Sequence, residues 1–248
     1  MSVYKHLMES RSRYKAGYLV LIDPDARPLN ETAEFARVIS KAGADAILYG
    51  GSLITDDGFT EKLKAVREAS DIPVILFPGS VGQVNSHVDA ILYISVISGR
   101  NANFLIGDHV TSAIQIKRSG VETIPTGYML VESGKVTTAE FISGTRPLPA
   151  HKPELALAHA LAGEMLGLKM LYLEAGSGAE RPVPNDMISI IKKYVQIPLI
   201  VGGGIRNPET AREKVLAGAD FIVTGNVLED GENLDMLEDF VKTVHGEK

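Results

Sequence analysis

The chain contains no cysteine, which excludes disulfides, thiolate metal sites and cysteine nucleophiles. It also lacks any clustered basic run: 25 Lys and Arg stand against 31 Asp and Glu, a net charge of −6. A nucleic-acid groove needs a concentrated positive surface to displace counterions, so no nucleic-acid partner is expected. Long apolar segments are missing as well. The longest, residues 18–22 and 90–97, are strand length and far short of the roughly 20 residues that cross a bilayer. Residues 1–15 are polar and charged, without the apolar stretch of a signal peptide. These absences predict a soluble, cytoplasmic protein with no membrane span.

An apolar fraction of 45% and a charged fraction of 23% are globular values that allow a large core. Short β-branched runs at residues 18–23, 46–51, 73–77, 90–96, 122–130, 170–174, 198–201 and 221–224 are apolar on both faces, as strands buried beneath helices must be. Amphipathic segments at 31–41, 60–69, 104–119, 154–166, 185–194, 208–216 and 234–244 follow them. A length of 248 residues and eight strands in strict alternation predict one α/β domain over 1–248, a (β/α)8 barrel, the TIM-barrel fold.

Local chemistry marks several boundaries. Asn207-Pro208-Glu209 supplies a cap, a proline at the first helical position and an acid near the positive helix end. The repeated pattern Lys41-Ala42-Gly43-Ala44-Asp45 and Leu216-Ala217-Gly218-Ala219-Asp220 reads as a shared helix-to-strand turn closed by glycine. Two places break the rhythm. Residues 78–89 hold at most about one helical turn, too little for a packed outer helix. The third outer helix is therefore expected to be missing or degenerate, which would open an apolar side channel. Residues 131–153 carry alternating Val136, Thr138, Glu140 and Ile142, a pattern that predicts a β-hairpin or extended lid over the strand ends.

Three glycine-rich strand ends crowd the last third: Glu174-Ala175-Gly176-Ser177-Gly178, Gly202-Gly203-Gly204-Ile205 and Thr224-Gly225-Asn226. Glycine lets main-chain amides approach an anion, and barrels of this kind hold phosphate after strands seven and eight. The pattern predicts a phosphate-binding barrel. Across the mouth, the first strand ends in Asp23-Pro24-Asp25 and the second in Gly50-Gly51-Ser52. One carboxylate and one hydroxyl suit Mg2+ when substrate phosphates complete its coordination, with Asp23 as a helix cap or turn former the alternative. Glu174 ends an apolar strand, where an unpaired acid is costly. It is read as a contact to substrate hydroxyls or a base, with a structural ion pair as the alternative. His87, His109, His151 and His159 have no ligand-like spacing and are read as surface or core residues.

Taken together, Asp23-Pro24-Asp25, Tyr49-Gly50-Gly51-Ser52, the tract 93–103, Tyr172–Gly178, Gly202–Ile205 and Gly225-Asn226 resemble the geranylgeranylglyceryl phosphate synthase family, in order, from near Gly17 to about Leu228. The tract 99–107 followed by Asp108-His109 is similar to the branch called group II. The resemblance implies transfer of a prenyl group from a prenyl diphosphate to sn-glycerol 1-phosphate, an early step of ether phospholipid synthesis, in a homo-oligomer. It places Mg2+ on Asp23 and Ser52. Glycerol phosphate falls on Tyr172, Leu173, Glu174, Ala175, Gly176, Ser177, Gly178, Gly203, Gly204, Gly225 and Asn226, with Glu174 and Tyr172 as the catalytic pair. The family's shorter-motif branch carries a lysine two positions before the metal-binding aspartate, whereas this chain has Leu21, so Arg27 or Arg100 is expected to supply the charge. Other phosphate-binding barrels, isomerases and lyases among them, share the late glycine turns, and a non-catalytic phosphometabolite sensor is a further alternative.

Overall fold

A computed structural model describes residues 2–228 and 234–246. Along the chain run α1 (Val3–Arg13), β1 (Gly17–Ile22), α2 (Leu29–Ala42), β2 (Ala46–Tyr49), α3 (Phe59–Ala69), β3 (Val74–Leu76), β4 (Ala90–Val96), α4 (Asp108–Ser119), β5 (Glu122–Leu130), α5 (Thr138–Ser143), α6 (Pro153–Met165), β6 (Met170–Glu174), α7 (Asn185–Tyr194), β7 (Leu199–Gly202), α8 (Pro208–Ala217), β8 (Phe221–Thr224) and α9 (Leu234–His245). The eight strands are parallel and pair in sequence order, and β8 returns to β1 to close the ring. This is the expected (β/α)8 barrel, with element ends shifted by a few residues.

Closure divides the apolar residues into two sets by the two-residue period of a strand. Leu19, Leu48, Tyr172 and Phe221 pack in the barrel interior, while Tyr18, Ile47, Leu173 and Ile222 pack outward beneath the helices. The parity carries past the strand ends. Counting by twos, Asp23 continues the inward set of Leu19 and Leu21, and Glu174 continues that of Met170 and Tyr172.

The expected helix boundaries hold. Asn207 accepts from Thr210 N–H at 2.8 Å with Pro208 following, and Gly43 and Gly218 close α2 and α8 in the left-handed conformation, at φ 92° and 113°. Between β3 and β4 there is only a 3-10 turn, Val81–Gln83. The outer layer lacks its third helix, as its length predicts. The segment 131–153 departs from expectation. It is neither a hairpin nor an extended lid but the short helix α5, with a single bridge between Val131 and Leu148. Thr137 caps it by accepting from Glu140 N–H, and Gly144 ends it at φ 61°. Of the alternating residues, Val136 is exposed, Glu140 is half-buried, and Thr138 and Ile142 border the cavities at the strand ends, with no strand to pair against.

No element was expected in residues 1–15, yet α1 lies there and sends Val3 and Leu7 into the barrel-interior core. Its N-terminus is tied by Glu122, which accepts from Val3 N–H at 2.6 Å, Tyr4 N–H at 3.1 Å and the Ser2 hydroxyl at 2.7 Å. Around the same end, three aspartates stand just before strands and each accept the first amide of a neighbouring strand or its equivalent: Asp45 from Tyr18, Asp89 from Val74 and Asp220 from Leu199. Each also meets a basic side chain, His245, Arg67, and the pair Arg11 and Lys192 respectively. The repeated Gly-Ala-Asp turn is therefore a structural device.

Asp220 is the most heavily engaged, with Arg11 and Lys192 both at 2.6 Å. Replacing it by Ala would remove the acceptor of the Leu199 amide and the carboxylate that Arg11 and Lys192 both meet. The expected loss is about 2–4 kcal/mol, below the full cost for a buried pair because both cations remain partly exposed. Urea unfolding measures it, and a loss under about 1 kcal/mol would show that solvent replaces the aspartate.

Candidate active site

The C-terminal ends of the strands surround one open cavity. Its walls include Asp23, Gly51 and Ser52 on one side and Tyr172, Glu174, Gly176, Gly203 and Gly225 on the other. Strand parity aims Tyr172, Glu174 and Asp23 into it. Leu173 and Ala175 turn the other way, into the helix-facing core. Ala175 N–H is already spent on the Gly202 carbonyl at 3.1 Å. The run thus contributes alternate residues, Tyr172, Glu174 and Gly176, and then the consecutive Ser177 and Gly178 of the turn, while Leu173 and Ala175 do not line the cavity.

At the glycine-rich side, Gly176, Gly178, Gly203 and Gly204 all hold positive φ, from 66° to 99°. Gly203 shows why no other residue serves: a Cβ there would sit 2.3 Å from Glu174 Oε1 and 2.6 Å from the Gly176 nitrogen. Ser177 donates to Asn226 Oδ1 at 2.6 Å, which joins the loop after β6 to the short 3-10 turn Asn226–Leu228 after β8. The arrangement is a concave lining of main chain and small side chains, suited to a tetrahedral anion.

Glu174 lies between this lining and the barrel interior. It is buried and accepts from Gly176 N–H at 2.6 Å. Burial pushes its carboxyl from an ordinary 4.5 up to about 7, with that amide and the Tyr172 hydroxyl opposing the rise. No basic side chain pairs with it among the described residues, so the alternative of a structural ion pair is not met. A Cβ on Gly202 would stand 2.6 Å from the Tyr172 hydroxyl and 3.2 Å from Glu174 Oε2, so both groups occupy the space that this glycine leaves open. The hydroxyl helps the carboxyl ionise, yet meets no partner of good hydrogen-bond geometry among the described residues. Burial holds the phenol itself well above its usual value.

Across the cavity, Asp23 accepts from Asp25 N–H at 2.9 Å. Burial raises its carboxyl above the ordinary range, and the nearby charge of Asp25 adds to the rise while that amide and Lys62 oppose it. A half-buried carboxylate held against its preference for water gains from a cation. With the Ser52 hydroxyl in the same wall, the donors are hard oxygens and fit Mg2+ rather than a soft metal. They are too few to enclose an ion alone: among the described residues no cluster of three acidic or histidine ligands exists.

A second, apolar cavity continues from the first. Gly51, Ser52, Phe77, Tyr128 and Ala139 line both. It runs past Pro78, Val81, Val84, Ile91, Tyr93, Phe104 and Ile116, through the gap where the third helix is missing. His109, read as a surface or core residue, forms part of this wall, edge-on to Tyr93 at 4.4 Å.

Of the expected cations, neither lines the mouth. Arg27 lies over the Phe35 ring at 4.0 Å, and Arg100 donates to the Gly99 carbonyl at 2.6 Å and faces His159. Instead Arg206 lines the cavity, donating to the Ala179 carbonyl at 2.9 Å. Lys135 brings its Nζ to 3.4 Å from where a Cβ on Gly178 would stand. Arg206 directly follows the Gly202–Ile205 turn, a signal the sequence carried. Lys135, Phe77 and Tyr128 reach the site only through the fold.

A family model described as the PcrB family matches residues 8–244. The chain is 50% identical over 220 residues to the geranylgeranylglyceryl phosphate synthase of Spirosoma linguale, covering 89% of this chain and 88% of that one. It is 42% identical over 234 residues to the same-named protein of Thermococcus kodakarensis, covering 94% and 92%. Among solved structures it is similar to (S)-3-O-geranylgeranylglyceryl phosphate synthase from Thermoplasma acidophilum in complex with sn-glycerol-1-phosphate, with a TM-score of 0.94, 33% identity and 99% of each chain covered. A thiamine phosphate pyrophosphorylase from Pyrococcus furiosus, 19% identical with a TM-score of 0.62 over 94% of this chain and 97% of that one, shares the fold alone.

The raised Glu174 carboxyl has a thermodynamic consequence. An acid whose pKa rises on folding stabilises the fold fully below its ordinary 4.5, and this contribution is lost as pH climbs through about 7. Glu174→Gln removes the penalty of burying the anion. In the ligand-free protein it should leave stability near pH 4.5 unchanged and raise it by about 3 kcal/mol at pH 8.5. Urea unfolding at both pH values tests this, and equal differences at the two would mean the carboxyl is not desolvated.

Proposed function

The chain belongs to the PcrB family, and on that footing we propose that it is a geranylgeranylglyceryl phosphate synthase, joining a prenyl group from a prenyl diphosphate to a hydroxyl of sn-glycerol 1-phosphate. The observation that carries this reading is the placement of Glu174 and Tyr172. They stand between an anion-shaped glycine lining and an apolar slot, where a phosphorylated alcohol and a hydrocarbon chain would meet.

In this reading the phosphate of glycerol 1-phosphate lies against the main chain at 176–178, 203–204 and 225–226. Its far hydroxyl then reaches Glu174 and Tyr172. As the allylic carbon–oxygen bond to diphosphate breaks, that hydroxyl oxygen forms the new ether bond and gives its proton to Glu174. A base with a pKa of about 7 is matched to neutral pH, which serves general-base catalysis. The Tyr172 hydroxyl orients the nucleophile, and fixing both reactants in one orientation removes much of the entropic barrier. Asp23 and Ser52 would hold Mg2+, which when bound neutralises charge on the diphosphate. The prenyl tail lies in the slot left by the missing helix, each buried methylene contributing about 0.8 kcal/mol. No described helix is long and apolar enough to cross a membrane. We extend the reading to a cytoplasmic homo-oligomer, for which exposed Ile106, Val110 and Ile114, four residues apart, offer an apolar stripe.

Mass spectrometry of products from sn-glycerol 1-phosphate and a series of prenyl diphosphates should reveal the ether, and its absence with every donor would refute the assignment. Glu174→Gln should lower kcat by about 100-fold or more while KM for glycerol phosphate changes little; an unchanged kcat would remove Glu174 from the chemistry. Asp23→Asn should raise the Mg2+ concentration needed for half-maximal rate, and wild-type activity persisting in chelator would refute the metal assignment.

A further inference from the structure

We propose that Lys62 is a positioning residue that locks the turn carrying Asp23 to the loop carrying Ser52, and so fixes the end of the site that receives a divalent cation and diphosphate. The inference rests on the function proposed above and assigns a role to a residue outside the cavity wall.

Lys62 sits near the start of α3 with its side chain 8% exposed. Its Nζ donates to the Pro24 carbonyl at 2.9 Å and to Asp56 Oδ2 at 2.9 Å. Lysine on an outer helix ordinarily extends its ammonium into water. Here the ammonium is withdrawn, at a desolvation cost that only well-placed acceptors offset.

Its two acceptors come from different loops. Pro24 lies in the turn after β1, one residue from Asp23. Asp56 lies in the irregular stretch between β2 and α3, four residues from Ser52, and its Oδ1 accepts from Gly58 N–H at 2.6 Å. The loops are bound a second time through Asp25. One of its oxygens accepts from the Thr55 amide and hydroxyl, both at 2.8 Å, and the other from Asp56 N–H at 3.1 Å. The Asp25 amide in turn holds Asp23 Oδ1. The circuit runs Asp23, Asp25, Thr55 and Asp56, Lys62, Pro24, and returns to Asp23.

The strand ladder does not reach these residues: β1–β2 pairing ends at Ile22 and Tyr49. The last main-chain bond between the two strand ends is Gly50 N–H to the Ile22 carbonyl at 3.2 Å. Beyond it the two loops are joined through the side chains of Asp25 and Lys62, while Gln83 holds the Gly51 carbonyl from a third loop. Mg2+ tolerates little departure from octahedral geometry at about 2.1 Å, so loosening this brace should weaken the ion more than the glycerol phosphate, which lies across the barrel on other loops. A lysine that merely stabilised α3 would not discriminate between the two ligands.

The test compares wild type, Lys62→Met and Asp56→Asn, the last keeping an oxygen for Gly58 while removing the charge opposite Lys62. Binding of Mn2+ with inorganic pyrophosphate is followed by electron paramagnetic resonance, and binding of sn-glycerol 1-phosphate by calorimetry. Lys62→Met should weaken Mn2+–pyrophosphate binding by about 10–100-fold. Asp56→Asn should weaken it by a smaller factor in the same direction, and both should leave glycerol phosphate affinity within about twofold, well inside one tenfold step of 1.4 kcal/mol. Equal weakening of both ligands, or wild-type Mn2+–pyrophosphate binding in Lys62→Met, overturns the proposal. Should Lys62→Met not fold, Asp56→Asn decides, and unchanged binding there overturns it. Failure of the functional reading would show separately, as wild type that binds neither ligand.

Discussion

Closing eight parallel strands into a ring imposes a strict rule on every strand: one side chain faces the interior, the next faces the helices. That geometric constraint decides which polar residues can meet. Asp23, Tyr172 and Glu174 belong to two strands on different sides of the ring, yet parity sends all three into one opening. The same rule turns Leu173 and Ala175 away from it. Along the strands the cavity takes alternate residues and the ones between them hold the wall; only in the turns beyond do consecutive residues line it.

The two ends of the barrel handle charge in opposite ways. At the α1 end, Asp45, Asp89 and Asp220 are saturated by strand amides and basic partners. At the mouth, Glu174 has an amide but no cation, and burial drives its carboxyl upward. Asp23 is likewise raised, with Lys62 near it but bonded elsewhere. Saturated carboxylates stabilise, whereas under-compensated ones are reactive and bind cations. At the mouth the one such pair close by among the described residues, Lys62 with Asp56, braces loops and leaves Asp23 and Glu174 without a cation bonded to them.

Much of this was legible in the sequence, because the signals were local. Each strand announced itself by an apolar run, Asn207-Pro208 by cap chemistry, and the missing helix by chain length alone. The glycine turns, Asp23 and Glu174 stood out because each is out of place in an ordinary strand end. What escaped depended on distant partners. Helix α1 is tied at its start to Glu122, more than a hundred residues away. Helix α5, six residues long, is too short to show its own period against strand alternation. Arg27 and Arg100 were reasonable cations by position, but each turned to a neighbouring ring or carbonyl, while Lys135 arrived from a loop whose course the sequence does not encode locally. Phe77 and Tyr128 lie within apolar strand runs, with nothing local to mark them as the seam between the two cavities.

The absent third helix leaves the outer layer with an unfilled berth beside β3 and β4, walled by Phe77, Ile91 and Phe104. Water occupying such a berth is poorly bonded, and a hydrocarbon that displaced it would complete the layer as a helix does elsewhere around the ring. The exchange would register chiefly as a fall in heat capacity, growing with each apolar carbon that finds wall to touch. The guest would then be part of the architecture while it stays, and the barrel would be whole only when loaded.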